Sequence, residues 1–271
     1  MIEVNSLKIE ELNIFNKCNE AQLLHYFEPK EGVFIAESPK VIERALNSGY
    51  EPISMLLEKG HVQTECKDII ARLEKDYDIP IYLASPEILI NLTGYELTRG
   101  ALCAMRRKPL REASMLCEGA TKIVVLEDVV NPTNIGSIVR NAAALGVDAV
   151  LFTKGCADPL YRRALRVSMG TALQVPWTFL NNEGSEYVDE LKSWGFTTIS
   201  MALVEDTLPI SDKRLYKNEK TAIILGTEGD GLRKETISNS DYTVCIPMKN
   251  GVDSLNVASA SAIAIWSLVN G

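Results

Sequence analysis

Residues 225–232 read Leu225-Gly226-Thr227-Glu228-Gly229-Asp230-Gly231-Leu232, and residues 246–257 read Ile246-Pro247-Met248-Lys249-Asn250-Gly251-Val252-Asp253-Ser254-Leu255-Asn256-Val257. Each stretch follows a short apolar run suited to a buried strand, and each opens into a helical pattern. Strand, loop and helix in that order belong to a parallel sheet, and such sheets bind ligands in the crevice at the carboxyl ends of their strands. The two loops therefore predict a pocket at one sheet edge. The glycines at 226, 229 and 231 do not fit G-x-G-x-x-G, and no G-K-[ST] follows. Glu228 stands where a phosphate would need backbone N–H groups, and like charges repel. The loop suits a neutral or cationic ligand portion, or a hydroxyl that needs an acceptor. A plain strand–turn–helix connection, its glycines serving only positive φ, accounts for the same residues.

A third loop joins them upstream: Asn131-Pro132-Thr133-Asn134-Ile135-Gly136-Ser137-Ile138-Val139-Arg140, after the apolar run 122–127 and before Ala142-Ala143-Ala144-Leu145. Asn134 has the chemistry of a helix N-cap, and Arg140 falls somewhat under two turns further on. A cap and a surface arginine explain the pair structurally; residues lining a substrate cleft explain it functionally. Asn256 likewise suits the cap of a final helix. Ser254 has no comparable structural reason.

The same alternation runs through the chain. From Gly32 onward, strands are predicted at 33–36, 53–57, 79–83 and 101–105, with helices after Ser38-Pro39 and near 65–75 and 86–92. Periodicity lapses and charge rises around 106–119. A second series follows, with strands at 122–127, 148–153, 174–179, 196–201, 221–226 and 242–246, and helices at 134–145, 159–168, 185–194, 231–239 and 256–269. Strands alternating with such helices predict an α/β class with a parallel, doubly wound sheet. The division is residues 1–110, a linker at 111–119 and a second domain at 120–271. Residues 1–30 read as polar helical material with Leu7, Leu12, Leu23 and Leu24 as contact points.

At 271 residues the chain is long enough for two cores. Its six cysteines include no C-x-x-C pair and there are only two histidines, which argues against metal binding and a disulfide framework and for a reducing cytoplasm. No apolar run reaches membrane-span length, and the N-terminus lacks a signal-peptide layout. The net charge of −8 sets a nucleic-acid role on local clusters. These are Arg99 with Arg106-Arg107-Lys108 and Arg111, and Tyr161-Arg162-Arg163 with Arg166; taken alone, each equally describes a solvated face.

N-P-x-N-x-G-x-x-x-R at 131–140, L-G-x-E-G-x-G-L at 225–232, and I-P-M with S-L-N-V at 246–248 and 254–257 together resemble the SpoU/TrmH group of RNA ribose 2′-O-methyltransferases, in the SPOUT superfamily. Three motifs in this order and spacing are highly specific, and the likeness covers about residues 120–271. Residues 32–105 are similar to the small substrate-binding domain of such enzymes, akin to RNA-binding ribosomal proteins, through residues 34–46 and Thr98-Arg99-Gly100. The resemblance implies a deep trefoil knot, a homodimer with each site near the subunit interface, and S-adenosylmethionine (AdoMet) held by loop groups at Gly226, Thr227, Gly229, Ile246, Met248 and Leu255. It implies that Arg140 acts at the ribose 2′-hydroxyl, that Asn134 and Glu228 shape the site, and that Ser254 and Asn256 position substrate and Arg140. An arginine loses its proton only above about pH 12, so Arg140 is assigned phosphate binding and hydroxyl orientation rather than base catalysis. Arg99, Arg106, Arg107, Arg162, Arg163 and Arg166 become RNA contacts. The full N-terminal domain favours ribosomal over transfer RNA. Asn131 stands where these enzymes usually have Asp, Thr227 where Asn is common, and Ser38 in place of a frequent glycine. Two other readings remain: a non-catalytic RNA-binding module, against which the complete residue set speaks, and a nucleotide enzyme on a Rossmann sheet, against which the missing G-x-G-x-x-G speaks.

Overall fold

Contacts divide the chain into two units, Met1–Pro109 with Leu160–Leu173, and Leu110–Pro159 with Gln174–Gly271. The computed structural model describes residues 1–6, 9–93 and 100–270.

In the first unit, β1 (Ile2–Glu3), β2 (Val33–Glu37), β3 (Pro52–Glu58), β4 (Ile81–Ala84) and β5 (Ala101–Arg106) form one sheet in the order β1-β4-β3-β5-β2. β5 runs antiparallel to both neighbours and the other pairings are parallel. Every β2 residue is buried, as a short apolar run covered on both faces must be. The helix α1 (Pro39–Asn47) begins at proline as predicted, but Ser38, at φ 84°, makes no side-chain cap. The predicted helices near 65–75 and 86–92 form α2 (Lys67–Asp76) and α3 (Pro86–Thr93). β1 was hidden because two residues at a sheet edge carry no periodicity. Leu12 and Leu23 are core residues there, while Leu7 lies outside the described residues.

The expectation of an unbroken 120–271 domain needs correction. Leu160–Leu173 groups with the first unit, because the short helix Arg162–Val167 buries Ala164 and Leu165 and packs on β2. The expected linker is partly core of the second unit, where the helix Ala113–Cys117 buries both its end residues.

The second unit holds β6 (Lys122–Glu127), β7 (Ala149–Phe152), β8 (Trp177–Phe179), β9 (Thr197–Met201), β10 (Leu208–Pro209), β11 (Thr221–Gly226) and β12 (Tyr242–Cys245). They form a seven-stranded sheet, β10-β12-β9-β11-β6-β7-β8, parallel throughout. The helices α4 (Pro132–Ala144), α5 (Ser185–Ser193), α6 (Lys234–Asn239) and α7 (Val257–Asn270) connect and flank the strands. The predicted strands are present; β10 was missed because Leu208–Pro209 is too short to show a pattern. The six cysteines are free, four buried and Cys18 and Cys245 half-buried. No described helix is long and apolar enough to cross a membrane.

Candidate functional site

β9, β11 and β12 are adjacent in the order β12-β9-β11, and the loops leaving their carboxyl ends enclose a cavity of about 610 Å³. Its walls come from residues 225–232, from residues 244–246 and 253–257, and from Met201 to Val204 after β9. The first two segments are the loops singled out in the sequence. The third carries no polar motif; its position at a strand's carboxyl end was the available signal.

The loop after β11 closes on itself. A Cβ on Gly226 would lie 2.4 Å from the Gly231 carbonyl carbon and 2.5 Å from the Leu232 nitrogen, so only glycine fits. Thr227 bridges Gly231, and Gly229 and Gly231 both take positive φ. The turn lifts Glu228 into solvent at the cavity wall.

Across the cavity, Asn256 does two jobs. Its Oδ1 accepts from the backbone N–H of Ala258 at 2.9 Å and so caps α7, as its position predicted. Its Nδ2 donates to Asn134 Oδ1 at 3.3 Å and to Glu228 Oε1. Asn134 is not the cap of α4: Asn131 takes that place, accepting from the Thr133 N–H at 2.9 Å, with Pro132 in the first turn. Asn134 therefore sits inside the helix with its side chain buried, free to reach Asn256, and its Nδ2 has no partner among the described residues. Residues from all three motifs thus meet in one hydrogen-bonded row, Asn134–Asn256–Glu228.

Gly226, Thr227, Gly229, Ile246, Met248, Ser254 and Leu255 all line the cavity. Arg140 does not. It is exposed on α4 and makes no hydrogen bond or ion pair among the described residues. Its neighbour Asn141 ties α4 to α7, donating to Ala258 O and Ser261 Oγ at 3.0 Å each.

The charged side chains on the cavity wall are Glu228, Asp230 and Asp253, with no lysine or arginine among them. Apolar walls at Leu225, Ile246, Met248 and Leu255 suit a flat aromatic ring, and the carboxylates suit a cation; a phosphate would find only repulsion. Among the described residues no group of histidine, cysteine and carboxylate side chains is placed to hold a metal.

In the first unit, Arg106 lies over the Phe27 ring at 4.5 Å and 3.9 Å from Glu51, and Arg107 Nε donates to Val33 O at 3.2 Å. Lys108 Nζ donates to Ser48 O at 2.6 Å. Arg162 and Arg166 flank the buried Glu37, at 3.3 and 3.6 Å, and Arg163 is exposed beside them. Arg99 lies outside the described residues.

A model of the SpoU rRNA methylase family matches residues 121–266. The chain belongs to this family. The family relationship extends beyond that stretch: an uncharacterised tRNA/rRNA methyltransferase of Mycobacterium bovis is 39% identical over 87% of this chain and 80% of its own length. The 23S rRNA guanosine 2′-O-methyltransferase RlmP of Bacillus subtilis is 28% identical over 88% of this chain and 89% of its own. Among solved structures, the AdoMet-bound rRNA methyltransferase of Sinorhizobium meliloti superposes with a TM-score of 0.77 at 20% identity, covering 99% of this chain and 97% of that one; this likeness shows a shared fold.

Proposed function

We propose that this SpoU family member transfers the methyl group of AdoMet to a ribose 2′-hydroxyl in RNA, with ribosomal RNA as substrate. The observation that carries the reading is the Asn134–Asn256–Glu228 row beside a cavity whose charges are all acidic. AdoMet carries a sulfonium cation and an adenine ring and fits that lining; NAD and ATP carry phosphates and do not. Resemblance of the first unit to a substrate-binding domain, and the 2′-O-methylation of 23S rRNA ascribed to the Bacillus relative, support ribosomal over transfer RNA.

When bound, AdoMet supplies the methyl group and its leaving group. Backbone and apolar groups at Gly226, Thr227, Gly229, Ile246, Met248 and Leu255 hold the adenine and ribose. Asn256, fixed by its helix cap and by Glu228, orients the substrate together with Ser254. Rate enhancement comes mainly from alignment, which is worth several kcal/mol in a well-held near-attack geometry (~7 kcal/mol or more at its best). Arg140 binds the phosphate next to the reacting ribose and orients its hydroxyl.

Arg140 stands outside its own cavity, which supports a homodimer in which Arg140 of the partner subunit completes each site. Exposed Ile263 and Trp266 on α7, the helix packed against α4, favour that interface. The trefoil knot belongs to the same reading, supported by the family membership and the all-parallel strand order. Free cysteines support a reducing cytoplasm.

The test is tritiated methyl transfer from AdoMet to ribosomal and transfer RNAs taken from a strain lacking this gene, followed by nucleotide mapping. A 2′-O-methylated ribosomal nucleotide is expected. Label on a base, or on transfer RNA alone, overturns the assignment.

A further inference from the structure

The carboxylate of Glu127 ends β6 in a fully buried position, facing Gly226 across the β6–β11 register. It accepts three hydrogen bonds: from the Arg233 backbone N–H at 2.7 Å, from the Tyr187 hydroxyl at 2.8 Å and from Thr236 Oγ1 at 2.6 Å. Burial, then the neighbouring Glu127, push the Tyr187 phenol above its ordinary value, so it stays a donor. Arg233 directly follows the cavity loop at 226–232. Its guanidinium meets Asp128 Oδ2 through Nε at 3.1 Å and Nη2 at 2.9 Å, and Glu183 at 2.8 Å. Asp128 is itself fixed at φ 54° by Thr153, whose hydroxyl lies 2.9 Å from both its N–H and Oδ1. It begins the loop that leads to Asn134.

We infer that Arg233 is a positioning residue for methyl transfer: clamped by its backbone to Glu127 and by its side chain to Asp128, it locks the exit of the Glu228 loop to the entrance of the Asn134 loop. Neither Arg233 nor Glu127 lines the cavity. Their effect passes through the distance between Glu228 and Asn134, the two ends of the row that Asn256 bridges. The entrance of the Glu228 loop is held by the strand register and its self-closure at Gly226, so its exit is the remaining freedom, and the clamp removes it. A fork on one carboxylate oxygen needs guanidinium geometry; a lysine keeps the charge and one contact.

The inference rests on the cavity being the AdoMet site, and the experiment separates the two. Full-length wild type, Arg233→Met and Arg233→Lys are compared by calorimetry with AdoMet, by kcat and KM, by Tm, and by amide hydrogen exchange without ligand. Arg233→Met is expected to raise the AdoMet Kd and KM about tenfold with kcat within about threefold, to speed exchange at 226–232 and 128–134 only, and to be partly rescued by lysine. A Kd within twofold of wild type, with unchanged exchange in both loops, overturns the clamp while leaving the proposed function intact. A loss that follows Tm, with exchange faster throughout the sheet and no rescue by lysine, reduces Arg233 to fold maintenance and overturns it as well. A wild type that binds no AdoMet overturns the cavity assignment first, and the inference with it.

Discussion

Asn256 holds Asn134 and Glu228 with a single nitrogen, while its amide oxygen caps the last helix. Stability and site geometry therefore share one side chain, but through different atoms, and substitution can separate them. Serine keeps a capping oxygen and cannot span to Glu228; alanine loses both. Asn256→Ser is expected to keep its Tm near wild type and to lose roughly 100-fold in kcat/KM, the order expected when a reacting group is misplaced by an ångström. Asn256→Ala adds about 1 kcal/mol of lost stability from the missing cap. Thermal melts alongside methyl-transfer kinetics check both; a Ser variant with full activity ends the assignment.

Arg140 is exposed and makes no hydrogen bond or ion pair among the described residues, so its removal costs none of these. Arg140→Ala is expected to melt with wild type, to bind AdoMet normally and to lose methyl transfer by at least about 100-fold, as for loss of a positioned charge-assisted contact. Action across a dimer gives a sharper outcome. Arg140→Ala and Asn256→Ser are each inactive alone, and mixed dimers pair one doubly damaged site with one intact site. Activity regained on mixing places Arg140 in the partner's site; no recovery in dimers shown to be mixed places it in its own.

What the sequence disclosed divides by length scale. β6 and β11 were legible because their unbroken apolar runs need burial on both faces. The three motif loops were legible because glycine, asparagine and acidic residues recur at strand ends. Asn134 was assigned to the cap because a proline two residues earlier leaves the helix start ambiguous; Asn131 takes the cap and frees Asn134 for the site. Arg233, Glu127 and Asp128 were not legible at all. Their partnership joins residues about a hundred positions apart, and nothing in local periodicity marks a buried carboxylate that meets a backbone N–H. Leu160–Leu173 was misplaced for a related reason, since its amphipathic pattern names a buried face but not the unit it buries against.

Gly226 and Gly229 sit three residues apart and fail differently. Alanine at 226 drives its Cβ into the backbone of Gly231 and Leu232, which cannot yield without opening the loop. Alanine at 229 meets nothing within 4 Å and bears only the strain of φ 89°. Gly226→Ala is expected to abolish AdoMet binding and to cost about 1–3 kcal/mol. Gly229→Ala should cost about 1–2 kcal/mol and retain binding within an order of magnitude. Calorimetry and denaturant unfolding of the pair decide it; equal loss in both would show that loop closure at Gly226 is not what shapes the cavity.

Asp148 ties the start of β6, accepting from Lys122 N at 2.9 Å and from Thr121 N and Oγ1 at 2.8 and 3.1 Å. Burial alone would push its carboxyl up, but the two backbone N–H groups, the Thr121 hydroxyl and the Lys122 charge outweigh that and set it below its ordinary value. A carboxylate with a depressed folded pKa stabilises fully above its unfolded value of ~3.9, and the contribution fades as pH falls through the lower folded value. Asp148→Asn is therefore expected to lower Tm at pH 7 by a small amount, about 2 °C once solvent screening is allowed for. That gap should close as pH falls below about 4, the ordinary carboxylate value. A gap that persists undiminished in acid would locate the effect in packing rather than charge.

Arg163 and Arg162 are adjacent on one helix but differ in exposure, Arg163 being exposed and Arg162 half-buried. Arg162 lies 3.3 Å from the buried Glu37 and gives its backbone N–H to Glu20 at 2.8 Å, so its charge is partly neutralised by the fold. Arg163 is exposed on the same helix. With RNA as substrate, Arg163→Ala is expected to weaken RNA binding uniformly across sequences and to reduce the slope of log K against log salt by about 1, the signature of one lost phosphate contact. Arg162→Ala removes one ion pair from the buried Glu37, which Arg166 still approaches at 3.6 Å, and should lower Tm while changing the salt slope less. Filter binding over a salt series with ribosomal RNA, read beside thermal melts, distinguishes the two. A slope unchanged by Arg163→Ala removes this helix from the RNA interface.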